Sequence, residues 1–174
     1  TLDRGLDQWF STRARTIVDN ALVVSRAYLE EQFRTIRAET LAMASDINRA
    51  RPLFDNERDR FRDLVTVQST IRGMQATYIL KRDLTVVERA ANDGGRPMQM
   101  PPPNAFTQAT DKEPAILSPN SQNLIGAVFR LQGYDDLWLF VVRAVDPRAT
   151  HYLRMTEAAA AEYIALDRRR FGVQ

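Results

Sequence analysis

The sequence predicts an α+β domain, and three observations carry that prediction. The first fifty residues keep a helical period with no proline before Pro52. Short runs between residues 77 and 145 switch to β-branched and aromatic residues bounded by turn signals. After Asp146-Pro147 the helical pattern returns, with Asp as N-cap and Pro in the first turn. A chain of 174 residues withdraws roughly 70% of its unfolded surface from water in one core, so it needs no covalent staples.

The opening helix is the strongest element. Phe10, Ala14, Ile17, Ala21, Val24 and Tyr28 recur at steps of four and three, the spacing of a coiled-coil seam. Leu29, Phe33, Ile36, Met43 and Ile47 continue the seam one position later, with Thr40 in the missing slot. About 45 helical residues extend ~70 Å, against a radius of gyration of roughly 16 Å for a compact chain of this size. The helix is therefore expected to protrude, bend or pair, and the offset at residues 28–29 marks the place for a break. Pairing would use Phe10, Ala14, Ile17, Ala21 and Val24 as a dimer interface.

Pro52 is expected to close this helix, and Asp55 to cap a second one through about Gln75 with Phe61, Leu64, Val65, Ile71 and Met74 buried. Thr77–Lys81 and Leu84–Ala90 read as a hairpin around Arg82-Asp83. Residues 91–123, with Asp93-Gly94-Gly95 and Pro101-Pro102-Pro103, read as a long lid or loop in which Pro114–Leu117 is a candidate short element. Gly126–Gln132 and Leu137–Val145 read as two strands joined by a turn at 133–136. Both Leu137/Leu139/Val141 and Trp138/Phe140/Val142 are apolar, so the last strand is expected at the centre of the sheet with both faces covered. The final helix is expected to reach about Phe171.

Composition excludes several functions. With no cysteine, there is no disulfide framework, thiolate metal site or Cys nucleophile. The net charge is +2 and no segment is a basic block, which speaks against a phosphate-tracking nucleic-acid surface. No uncharged run approaches the ~18 residues of a membrane span. The chain starts at Thr1, which fits a processed protein or an excised piece with membrane segments cut away. His151, the only histidine, has no histidine or cysteine near it and reads as a surface or cap residue. Asp135-Asp136 reads as a turn rather than a metal pair. There is no G-x-S-x-G, P-loop or dinucleotide fingerprint, so no catalytic residue, metal or cofactor is expected. Arg168-Arg169-Arg170 either complements a helix C-terminus or marks the approach to a membrane.

Stretches spread along the whole chain carry a resemblance: Leu2–Phe10 (LDRGLDQWF), Val24–Glu31 (VSRAYLEE), Ala42–Asn48 (AMASDIN), Tyr78–Ala90 (YILKRDLTVVERA), Leu131–Asp136 (LQGYDD), Val145–Arg148 (VDPR) and Glu162–Gln174 (EYIALDRRRFGVQ). Together they resemble the extracytoplasmic segment of NtrY-type nitrogen-regulation sensor histidine kinases. The element order is similar to that of CACHE-type (PAS-like) sensor domains. The 91–123 loop and Phe171 depart from the pattern. The resemblance implies membrane spans entering near Thr1 and leaving after Gln174, and a periplasmic location in an inner-membrane protein. It also implies a cytoplasmic ATP-dependent histidine kinase beyond this chain and an NtrX-type response regulator as partner. Residues 1–76 would then form a stalk and dimerisation part, 77–146 a PAS-like antiparallel sensor sheet, and 147–174 an exit helix. A small ligand, of a kind not specified by the residues, is expected between the sheet and the 91–123 loop. Tyr78, Arg89, Arg130, Trp138 and Arg143 are the candidate contacts, as polar-capable groups on the strands. The rival expectation is a ligand-free dimerising or partner-binding module.

Overall fold

The computed structural model describes residues 2–91 and 99–155, with side chains from residue 5 onward. The fold is α+β: helices and one five-stranded antiparallel sheet. The chain divides into two compact units, Thr1–Glu31 with Asp146–Gln174, and Gln32–Val145.

Helix α1 runs unbroken over Leu2–Arg49, so the seam offset at residues 28–29 does not interrupt it. Its second half carries the buried stripe Ile36, Thr40, Met43 and Ile47. Thr40 fits this apolar row because its hydroxyl donates to the Ile36 carbonyl one turn back, at 2.5 Å, leaving no unsatisfied polar atom. The first half is different: Phe10, Ile17 and Val24 are 61%, 65% and 68% exposed.

Two expectations about the next segment are corrected. Pro52 does not close α1; the helix breaks at Ala50 and restarts at once as α2 (Arg51–Asn56), with Pro52 in its first turn. Proline is tolerated there because first-turn N–H groups have no helical partner to lose. Asp55 is not an N-cap. It lies inside α2 and pairs with Arg51 at 3.1 Å, while Glu57, in a non-helical conformation, separates α2 from α3 (Arg58–Ile71). Phe61 and Val65 are buried as expected, but Ile71 is 67% exposed. From Phe61 and Val65 the next position on the same face is Ser69, four residues on, and Ser69 takes the inward place by accepting a 2.8 Å hydrogen bond from the Thr77 hydroxyl. Helix α3 stops at Ile71, short of Gln75, and Gly73 turns the chain at φ 71°.

The strands are β1 (Ala76–Leu80), β2 (Val86–Ala91), β3 (Ala115–Leu117), β4 (Leu124–Arg130) and β5 (Trp138–Ala144), in the order β2-β1-β5-β4-β3. The expected central position of the last strand is observed. Its pairing with β1 and β4 sets Tyr78, Phe140 and Val128 side by side in one row, and Ala76, Val142 and Gly126 in another. These residues share one face of the sheet, which also packs Ala105 and Phe106 of the short helix α4 (Pro103–Gln108). The opposite face carries Thr77, Ile79, Leu139 and Val141, all buried, and is tied to α3 through Thr77 and to α1 through Arg143. The region 91–123 is thus more structured than a plain loop: it holds α4 and β3, the latter where Pro114–Leu117 suggested an element. Its Asp93–Gly95 part lies outside the described residues.

The turn after β1 is closed by a hydrogen bond from Lys81 N–H to the Thr85 carbonyl, with Leu84 at φ 73°. The turn before β5 docks on the end of α1: the Tyr134 hydroxyl donates to the Ile47 carbonyl at 2.7 Å and the Gly133 N–H to the Asn48 side chain at 3.0 Å. Residues 147–155 form the described start of α5. The Asp146 carboxylate accepts from the Arg148 backbone N–H at 2.9 Å, consistent with its expected capping place. The remainder of this expected helix and Arg168–Arg170 lie outside the described residues. Among the described residues, no helix is long and apolar enough to cross a membrane.

Candidate functional site

Beyond Leu117, which pairs with Gly126, the β3–β4 ladder ends and the chain turns back through residues 118–123. Asn120 organises that turn. Its side-chain oxygen accepts from the N–H groups of Gln122 and Leu124 at 2.9 and 3.1 Å, its own N–H donates to the Leu124 carbonyl, and its carbonyl accepts from Asn123. Asn123 adopts φ 57°, a conformation that asparagine tolerates better than most residues. A side chain that satisfies two backbone donors makes a short loop into a defined wall.

Between this wall and the sheet lies a cavity of about 290 Å³. Its floor is Gly126, Phe140 and Val142 of the two central strands, its sides include Leu117, Pro119 and Leu124, and Met100 and Pro102 approach from the segment before α4. Gly126 sets the depth. A Cβ placed there would stand 3.1 Å from Leu117 Cδ1 and 3.3 Å from Phe140 Cε1, closer than ordinary van der Waals contact. The polar lining comes from Gln99, Ser118 and Asn120. An apolar concavity with a few convergent polar groups is the usual form of a small-molecule site.

Two other hollows are less suited to that role. One of about 430 Å³ lies between the exposed turn residues Arg82–Leu84 and α4. One of about 230 Å³ lies between Thr66, Ser69 and Thr70 of α3 and Arg89–Ala91 of β2. The first is walled on one side by a solvent-facing turn, and the second is a smaller, mainly polar seam at the sheet edge.

The five residues expected to contact a ligand are not brought to one place. Tyr78, Arg89, Arg130 and Trp138 fall on the same sheet face as the cavity by strand register, but none lines it. Tyr78 is buried and stacks on Phe140 at 5.8 Å, the Arg89 guanidinium lies 5.9 Å from the Tyr78 ring, and Trp138 meets Phe106 edge-on at 5.1 Å. Arg130 is exposed at the end of β4. Arg143 occupies the opposite face, where it donates to Gln32 at 3.1 Å and to the Arg72 carbonyl at 3.2 Å. The cavity residues the strand reading passed over are Gly126, Phe140 and Val142 with Ser118 and Asn120. The signal that marked them was a glycine inside a strand, which points to close approach of another group.

On that opposite face ionic contacts join α3 to α1 and to β2. Arg72 donates to Glu39 at 2.8 Å and to Asp46 at 2.9 Å, both on α1, and to Gln68 at 2.7 Å. Burial pushes the Asp46 carboxyl up, but hydrogen bonds from Arg49 and Arg72 outweigh it, so that the group sits below the usual range. Glu88 of β2 is buried and accepts from Arg58 and Arg62 of α3 at 2.9 and 3.1 Å. Arg37 of α1 pairs with Glu113, just before β3, and holds that carboxyl below its ordinary value.

Of the residues expected to form a dimer interface, Phe10, Ala14, Ile17 and Val24 are exposed and Ala21 is half-buried. Trp9 packs edge-on against Phe10 at 5.0 Å, with Arg13 over its ring at 5.2 Å. Among the described residues no group of acidic or histidine side chains is arranged to hold a metal ion.

Comparison with known proteins adds an independent line. The family model described as NtrY N-terminal region matches residues 2–174. The nitrogen regulation protein NtrY of Azorhizobium caulinodans is 41% identical over 174 residues, covering the whole of this chain and 23% of that protein. Putative sensor histidine kinases described as NtrY-like are 23% identical over 159 residues in Rickettsia felis and 21% over 163 residues in Rickettsia bellii. Those alignments cover 91% and 93% of this chain, and 26% and 27% of the relatives. The chain spans about a quarter of the length of the curated relatives it matches. No solved structure matches.

Proposed function

Because this chain belongs to the NtrY N-terminal region family, we propose that it is the signal-input part of a membrane-bound sensor histidine kinase of nitrogen regulation. In this reading it lies on the periplasmic side of the inner membrane, between spans that flank it, and its sheet belongs to the CACHE-type, PAS-like class. The kinase chemistry belongs to the rest of the full-length protein, whose partner is an NtrX-type response regulator. The chain itself performs no catalysis and works as a homodimer through the exposed seam of α1.

The observation that carries the proposal is where the cavity wall is attached. The Asn123 carbonyl, at the end of the 118–123 loop, accepts a 3.0 Å hydrogen bond from the Val145 N–H. Val145 is two residues before α5, whose first turn is capped by Asp146. A ligand that reshapes the loop therefore acts on the segment leading into the exit helix. It biases the kinase only through its differential affinity for the two arrangements. The Arg72 contacts to Glu39 and Asp46 tie the end of α3 to α1, and Arg143 of β5 donates to the Arg72 carbonyl.

Autophosphorylation of the full-length protein in membrane vesicles tests this. Ser118→Phe at the cavity and Arg72→Met at the α1 contact are each expected to change the rate at least about threefold, roughly 0.7 kcal/mol of shifted equilibrium. Unchanged rates in both, with folding intact, sink the input reading. They would favour the second one, a ligand-free dimerising module, for which the exposed apolar face of α1 speaks.

A further inference from the structure

The chemistry of the cavity narrows what it can hold. Its floor and sides are hydrocarbon: Leu117, Leu124, Phe140 and Val142, with Met100 across from them. Among the described residues no Asp, Glu, Lys, Arg or His lines it. The arginines expected to meet a ligand are elsewhere: Arg143 is spent on Gln32 and the Arg72 carbonyl on the other face, and Arg89 and Arg130 do not reach the lining. An ion placed here would lose part of its water and meet no counter-charge among the described lining residues, which is a costly form of burial. A neutral molecule would lose little and gain apolar contact. At about 290 Å³ the space lies at the lower end of ligand-site volumes, so the occupant is small. The polar residues of the lining, Gln99, Ser118 and Asn120, are uncharged, and the Gln99 carboxamide and Ser118 hydroxyl suit one uncharged hydrogen-bonding group on that molecule.

We propose that this cavity binds a small uncharged molecule with an apolar body and a single hydroxyl or amide group, and that it rejects amino acids, carboxylates, nitrate and ammonium compounds. The proposal rests on the reading of the chain as an input domain and gives that domain a ligand class. It separates the stimulus from the charged nitrogen compounds that a nitrogen-regulation protein would be expected to read.

Three probes of one shape decide it: benzyl alcohol, benzoate and benzylammonium, titrated against the 174-residue chain by saturation-transfer-difference NMR, with cooperative melting checked by circular dichroism. Benzyl alcohol is expected to bind at least about tenfold more tightly than either ion, a factor equal to one decade of dissociation constant. Filling the space with Ser118→Phe, or with Met100→Trp should that variant not fold, is expected to abolish the signal. Both changes lie outside the strands and leave the ladder intact. The proposal is overturned if either ion binds as well as the alcohol, if the filling variants leave binding unchanged, or if none of the three probes binds. Failure of this ligand class with altered autophosphorylation in the cavity variants leaves the input reading standing. Binding of benzyl alcohol with no effect of those variants on the kinase does the reverse.

Discussion

At the scale of single residues, the polar groups that matter are those whose neighbours leave no alternative partner. Tyr134 is buried beside Phe54 and Phe61, with its hydroxyl on the last turn of α1. Burial pushes this phenol up to about 12. Its folded value lies above the unfolded one, so the stabilisation it gives is complete below about pH 10 and is lost as pH rises towards 12. The tyrosinate absorbance that Tyr134→Phe removes is expected to appear near pH 12. The same variant leaves the Ile47 carbonyl without this donor, and is expected to cost about 1–2 kcal/mol in urea unfolding. Asp46 works in the opposite sense. Its folded value is depressed, so its contribution is present above about pH 4 and drains away as pH falls through that lower value. Thermal melts between about pH 5 and pH 2 are expected to fall less steeply in Asp46→Asn than in wild type. Arg72 joins two carboxylates on α1, and Arg72→Ala, which strands both of them half-buried, is expected to lose about 1–3 kcal/mol.

At the scale of elements, α1 shows one repeat with two outcomes. The stripe from Leu29 to Ile47 is covered and the stripe from Phe10 to Val24 is largely exposed, although both have the same spacing. A seam at coiled-coil spacing needs a partner helix, and in the proposed homodimer a second copy supplies it. Ile17→Glu with Val24→Glu is expected to shift the chain towards monomer in sedimentation velocity without lowering its melting temperature. A dimer that survives the pair of charges would place the interface elsewhere. The α2–α3 boundary makes a smaller point about caps. A true N-cap loses about 0.5–2 kcal/mol when truncated to alanine. Asp55 lies inside α2 in an exposed pair with Arg51, so Asp55→Ala is expected to change stability by no more than about 0.5 kcal/mol. Urea unfolding of that variant distinguishes the two roles.

At the scale of the molecule, the sheet separates two jobs. One face carries the cavity, and the other is bound to α1 and to the end of α3 by Arg143 and to α3 by the Ser69–Thr77 pair. β5 serves both faces, with Phe140 and Val142 under the cavity, Leu139 and Val141 behind them, and α5 following two residues after its end. Kind and order of elements were legible in the sequence because the periods of 3.6 and 2 are local properties of the chain. That the strand ending at Val145 is central followed from its apolar residues at both parities, and the β3 segment from four residues between turn signals. Family membership too was legible, from short stretches spread over the full length. The site was not legible to the same degree. Polar strand residues suggested a ligand surface, yet strand parity sends Arg143 to the far side and leaves Tyr78 and Trp138 packed against Phe140 and Phe106. The cavity is made by what is missing at Gly126 and by a turn whose shape Asn120 fixes. Side-chain type and spacing determine which face of an element is apolar. Where two faces fail to fill the space between them depends on residues far apart in the chain, and only the packed structure decides that.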